Sequence, residues 1–257
     1  MKTLSQIFSG LILLSFVLIG CTETTTETDT TDYPDYYPTT QNSMLKYSVT
    51  EEDSSGNVVQ SGTRDVLFSG SAVYNGINYT TQDDSLDLGI QSSVSTYLVR
   101  KSETGVFYAV DTSQISQLIP DTLKQYVTLR TEMQLLFYPL SSGSSWSLYR
   151  VTAEVQAGVQ IKILDIIANY VGSEQISLSI DSSTVVVPSR KVSYTVELFS
   201  EIGSSPETYT AFMWYVENIG LVKYEGNQFI IDAGGGGITI EPSSNILTQE
   251  LISYDIK

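Results

Sequence analysis

From Met44 onward, apolar and polar positions alternate with a period of two, the repeat of a strand with one face buried. The stretches "LKYSV" (45–49), "VVQSGTRDVLF" (58–68), "AVYNGINYTT" (72–81), "VSTYLVR" (94–100) and "GVFYAV" (105–110) are rich in Val, Tyr, Ile and Thr. Turn chemistry separates them at Asp53–Asn57, Ser69-Gly70-Ser71 and Ser102–Gly105, so each reads as a strand. Their close spacing suits antiparallel hairpins rather than βαβ units. Asn75-Gly76 is either a two-residue hairpin turn or a bulge.

One stretch breaks the alternation. Residues 111–137 place Ile115, Leu118, Ile119, Leu123, Tyr126 and Val127 at helical spacing. Pro120 cannot continue a helix but suits the first turn of a new one. One or two short helices are expected here, packing an apolar stripe on the sheet. The other reading is a lid over a ligand pocket lined by Ile115, Leu118, Leu123 and Tyr126.

The second half returns to strands at 144–156, 159–172, 176–199, 208–218, 220–226 and 228–233, and residues 238–257 add one or two more. "FYPLSSGSSWSLY" (137–149), "VVVPSRKVSYTV" (185–196) and "WYVENIGLVKYEG" (214–226) occur in that order. Together they resemble the "YFPL…GN.W.Y" and "W(Y/F)…GVGLVK" elements of a family of uncharacterised bacterial lipoproteins. Ser144 stands where that pattern has Asn, and Ser189-Arg190 where it has Ala-Gly. The family is similar to lipoprotein-carrier half-barrels, which implies a mainly β fold: a curved antiparallel sheet with one or two short helices packed on it. Within it, Tyr138, Trp146, Trp214 and Tyr215 would line a sheet face with their polar atoms at its edge. Pro139 would end a strand or begin a turn, and Gly220 would allow a tight turn between strands ending near Glu217 and beginning at Leu221.

The first 20 residues differ in kind. Met1–Gln6 carries Lys2, Ile7–Gly20 is uncharged and mostly apolar, and Cys21, the chain's one cysteine, follows directly. A positive start, an apolar run and a small residue at the cut describe a secretory signal. The run falls short of the roughly 20 residues a membrane-crossing helix needs. Leu18-Ile19-Gly20-Cys21 resembles the lipobox of bacterial lipoproteins. The resemblance implies diacylglyceryl transfer to Cys21, cleavage between Gly20 and Cys21, and anchoring in the cell envelope. A secretory signal followed by a chance cysteine is the alternative. Several acyl chains hold a protein to a bilayer stably where one does so only reversibly. With no second cysteine the chain forms no internal disulfide.

Residues 21–43 then read as the lipidated cysteine and an extended, disordered tether. Thr22–Ser43 holds Glu23, Glu27, Asp29, Asp32 and Asp35, prolines 34 and 38, and neither a basic nor an aliphatic residue. Such a segment buries too little apolar surface to offset its ordering entropy. Tyr33, Tyr36 and Tyr37 are the only sticky groups in it. Thr22 lacks the aspartate associated with inner-membrane retention, which by resemblance implies the outer membrane in a host that has one. The remainder, 44–257, is expected as one β-rich domain divisible into halves 44–134 and 135–257.

Composition narrows function by exclusion. The formal net charge is −16, and loss of residues 1–20 removes one further positive charge. That balance argues against nucleic acid, where basic patches supply affinity, and against electrostatic adhesion to anionic lipid. There is no histidine, the usual general base and metal ligand near neutral pH. No Ser, Lys, Asp or Glu falls into a catalytic spacing. "TQDDSLDLG" (81–89) offers Asp83, Asp84 and Asp87, either a solvated turn or oxygen ligands for calcium at a spacing foreign to the EF-hand. "AGGGGITIEP" (233–242) lacks the Lys-Ser/Thr of a phosphate loop. The expectation is a membrane-anchored protein without enzymatic activity, cofactor or metal, with a structural or protein-contact role. The alternative is a carrier of an apolar ligand, a lipid or acyl chain, in the concavity of the sheet.

Overall fold

Twelve strands account for the sheet in a computed structural model that describes residues 34–89, 92–199, 205–227 and 245–257. They are β1 (Met44–Glu52), β2 (Val58–Tyr74), β3 (Ile77–Asp87), β4 (Ser92–Ser102), β5 (Gly105–Ala109), β6 (Glu132–Phe137), β7 (Ser145–Gln156), β8 (Val159–Ile180), β9 (Ser183–Leu198), β10 (Glu207–Val216), β11 (Gly220–Gly226) and β12 (Ile246–Asp255). The sheet order is β6-β5-β4-β3-β2-β1-β12-β11-β10-β9-β8-β7. Each strand pairs antiparallel with its sequence neighbours except β6 with β7, and β1 pairs with β12, so first and last strands meet (Tyr47 opposite Leu251). The result is an up-and-down meander nearly closed into a barrel. Tyr33–Lys257 forms one compact unit spanning both expected halves.

The remaining gap lies mid-chain, between β6 and β7. A single bridge, Val127 with Ala153, joins the two sides. Side chains stitch the rest on an antiparallel register. The Trp146 indole donates to Gln134 O at 3.1 Å, the Tyr149 phenol to Arg130 O at 2.8 Å and the Arg130 guanidinium to Leu148 O at 3.1 Å. From β9, Tyr194 reaches Leu135 O at 3.2 Å.

Alternation sends one set of side chains inward, and large ones fill the lumen. Tyr47, Phe68, Met133, Leu136, Tyr149, Tyr194, Tyr215 and Tyr224 are among the fully buried residues. Residues 112–126 form a short α-helix (Thr112–Ile115) and two 3₁₀ turns (Ser116–Leu118 and Lys124–Tyr126) between β5 and β6. In an antiparallel meander that connection sits at one end of the barrel, where it buries Ile115, Ile119 and Leu123 in the core.

The structure decides one open alternative of the sequence reading and departs from that reading elsewhere. Asn75-Gly76 is a hairpin turn with both residues at positive φ, 49° and 77°, as a primed turn requires. Ser69–Ser71 is no turn: β2 runs through it with a register shift between Phe68 and Gly70. The break expected between 172 and 176 is likewise a bulge in one continuous β8, with the shift between Tyr170 and Gly172. The turn comes at Asp181-Ser182, φ 47° and 66°. Asp83, Asp84 and Asp87 lie on β3 rather than in a solvated turn. Residues 34–43 do not trail as a tether: Tyr36, Pro38 and Ser43 are buried. Cys21, Gly20, the rest of the tether, and the segments at 228–233 and 233–242 lie outside the described residues.

Candidate functional site

β2 and β3 lay Arg64, Gln82 and Asp84 on the inward face, where the strand repeat would otherwise place apolar groups. Arg64 and Asp84 are 7% and 5% exposed. The guanidinium grips the carboxylate in a fork, Nε to Oδ1 at 2.8 Å and Nη2 to Oδ2, the bidentate geometry that suits a buried pair. Its other arm crosses to β12, donating to Gln249 Oε1 at 2.9 Å. Tyr47, directly opposite on β1, lies with its ring 5.9 Å from Arg64 Cζ. Burial disfavours the charge on Arg64, but Asp84 holds the guanidinium's pKa above its ordinary value. Gln249 Nε2 is buried without a hydrogen-bond partner among the described residues.

Beside this pair, the phenols of Tyr108 and Tyr37 donate to Gln82 Oε1 at 2.8 and 3.1 Å, and their oxygens adjoin. Burial pushes the Tyr37 phenol up to about 12. Tyr47 donates to Leu221 O at 2.9 Å. The cavity left among Tyr37, Pro38, Tyr47, Arg64, Phe68, Gln82 and Gly220 is about 10 Å³, room for roughly one water.

Tyr37 is not a barrel residue. It comes from the segment before β1, which crosses the barrel end opposite the helical connection. Asp35 pairs with Lys101 at 2.7 Å and accepts from Asn218 N at 2.7 Å through its carbonyl. The Tyr36 phenol accepts from Arg190 Nε at 3.1 Å, and the Tyr138 phenol meets the Tyr36 backbone. Pro38 packs on Gly220, where an added Cβ would lie 3.3 Å from Pro38 Cδ. Lys101, Tyr138 and Asn218 sit at or beside the β4–β5, β6–β7 and β10–β11 connections, which an antiparallel meander gathers at one end, and Arg190, mid-strand on β9, pairs with Tyr215 near the end of β10. The strap therefore spans the mouth.

The residues singled out from sequence fall into three places. Tyr138, Pro139 and Trp146 sit at the gap: β6 ends at Phe137, the Tyr138–Pro139 bond is cis, and Trp146 is the second residue of β7. Tyr215 is inward, bonded to Tyr194 at 2.9 Å. Its neighbour Trp214 is outward but only 5% exposed. Lys191 and Lys223, opposite it on β9 and β11, lay their ammonium groups 4.5 and 5.3 Å from the Trp214 ring, and the indole N–H donates to Glu174. Lysine stems thus cover an outer aromatic that the strand alone leaves bare. Gly220 opens β11 at φ 104°.

Three of the four proposed pocket residues have described side chains. Ile115 and Leu123 are buried in the core, while Tyr126 is 42% exposed. Leu118 ends the first 3₁₀ turn. The lumen network escaped the sequence reading because Arg64, Gln82 and Asp84 each look like the polar half of an alternating strand. The usable signal was phase: Arg64 shares parity with Val66 and Phe68, and Asp84 with Gln82.

No protein-family profile and no curated protein matches the chain. Two solved structures resemble it. One is a candidate lipoprotein from Parabacteroides distasonis, 13% identical, with a TM-score of 0.46, covering 87% of this chain and 100% of that one. The other is a candidate exported protein with a YmcC-like fold from Bacteroides fragilis, 10% identical, with a TM-score of 0.46, covering 85% of this chain and 98% of that one.

Proposed function

We propose that this protein is a lipid-anchored lipoprotein of the bacterial envelope, held by acyl chains on Cys21 at the outer membrane, whose barrel serves as a non-enzymatic scaffold for protein contacts. The anchor rests on the sequence: an uncharged apolar run ending in Leu18-Ile19-Gly20-Cys21. The choice of scaffold over carrier rests on one observation, the filled lumen. A carrier of acyl chains needs an apolar cavity of several hundred Å³. Here the lumen holds tyrosines, a buried ion pair and a cavity of about 10 Å³.

Cys21→Ser tests the anchor. In a bacterial host the wild-type chain takes up labelled fatty acid and fractionates with membranes. The variant takes up none and keeps its leader, and unchanged labelling overturns the anchor.

A further inference from the structure

The strap at the mouth is bound as a ligand is bound. Its attachments are mostly side chains entering seats: the Tyr37 phenol on Gln82 and Tyr108, the Tyr36 phenol on Arg190, the Asp35 carboxylate on Lys101, and the Pro38 ring on Gly220. Between residues 34 and 41 the main-chain hydrogen bonds to the barrel include Asn218 N to Asp35 O, whereas Asn42 and Ser43 bond Phe68 directly, where the chain joins the sheet. The Tyr37 ring meets Phe68 and Tyr108 edge-on, with centroids 6.2 Å away in both cases. The seats are also matched in charge. In a chain of net charge −16, Lys101 and Arg190 stand at this mouth facing an acidic strap. The sequence carries the same chemistry twice in succession, Asp32-Tyr33-Pro34 and Asp35-Tyr36-Tyr37-Pro38.

We infer that the barrel mouth is a binding site for an extended acidic peptide bearing tyrosine followed by proline, and that Asp35–Pro38 is its resident intramolecular occupant. Tyrosine supplies a rigid ring for Phe68 and Tyr108 and a hydroxyl for Gln82 or Arg190. The carboxylate answers Lys101, and proline lies flat where Gly220 has no side chain. A second copy of this chain, which carries the same segment, competes for these seats. The site stands apart from the lipid anchor, so failure of either reading leaves the other to be judged alone.

The test uses the soluble chain from Thr22 with a protease site inserted between the exposed residues Thr40 and Gln41. After cutting and removal of the released segment, a fluorescent peptide with the sequence of residues 32–40 is titrated and followed by anisotropy. Saturable one-to-one binding is expected. It weakens with Lys101→Ala or Arg190→Ala and with phenylalanine at the peptide position matching Tyr37. In the uncut chain the tethered strap competes at an effective concentration in the millimolar range, so binding is weaker by at least about tenfold. A stripped chain with an intact β circular-dichroism spectrum and no saturable binding overturns the inference, as does equal binding to the uncut chain. If the stripped chain loses that spectrum, the uncut chain carrying Tyr36→Ala and Tyr37→Ala, which empties the two phenol seats, is titrated instead. Absence of binding there overturns it equally.

Discussion

The Trp146 indole N–H donates to the carbonyl oxygen of Gln134 at 3.1 Å, joining β7 to β6 where the backbone ladder is interrupted. Trp146 is 7% exposed, so its ring also fills the seam. Trp146→Phe keeps most of the ring and removes the donor. It should cost about 1–3 kcal/mol, the penalty of a buried carbonyl left unpaired. Trp146→Ala should cost about 3–5 kcal/mol. Urea unfolding measures both. Hydrogen exchange should rise first in β6 and β7, whereas uniform exchange across the sheet would show that the gap is not the weak point.

Asp84 is tied to Arg64 inside the lumen. Asp84→Asn leaves the guanidinium buried without its counter-charge and should lose about 3–5 kcal/mol. The double variant Arg64→Met with Asp84→Leu removes both charges and should recover most of that loss, because replacing a buried pair by apolar groups is often neutral. A double variant no more stable than Asp84→Asn would show that the pair does more than neutralise itself.

Alkaline stability follows from the buried phenols. Burial pushes the pKa of Tyr37 and of Tyr149 up to about 12, and that of Tyr194 higher still. An unfolded tyrosine ionises near pH 10. Below that pH both states hold the proton and the stability is fully present. Above it the unfolded state releases the proton first, so stability falls as pH rises through the folded values, by about 1.4 kcal/mol per pH unit for each such tyrosine. A spectrophotometric titration at 295 nm should show these phenols ionising together with loss of the β circular-dichroism signal. Their ionisation at pH 10 with the fold intact would contradict the burial.

Gly220 serves both the β10–β11 turn and the strap. Its φ of 104° lies in the region glycine adopts freely, and an added Cβ would lie 3.3 Å from Pro38 Cδ. Gly220→Ala should destabilise by about 1–3 kcal/mol through the backbone alone. It should also loosen the strap, read as faster chymotryptic cleavage after Tyr36. Pro38→Ala, which leaves the turn untouched, should reproduce the proteolysis without the full loss of stability.

The strand repeat made the fold class legible from Met44 onward, since each run of alternating residues names a strand and its inward face. Glycine was the weak sign. Gly70 reads as a turn residue and Gly172 as the end of a strand, but each sits in a strand that its partner extends past a register shift, a tertiary fact without a local signature. The true turn at Asp181-Ser182 contains no glycine. The mouth was the least legible part. Composition alone assigns residues 34–43 to a tether, because a polar segment with two aromatics orders itself only when a barrel end offers seats for them. Trp214 and Tyr215 were recognised as structural, but their opposite faces follow from β10 alternation and from the lysines on β9 and β11.

The barrel keeps its lumen filled with its own side chains. Native mass spectrometry of the soluble chain from Thr22, purified from a bacterial host without detergent, tests it most directly. A mass equal to the polypeptide alone is the predicted result. A stoichiometric extra mass that disappears on organic extraction would contradict the account and make the lumen a lipid carrier.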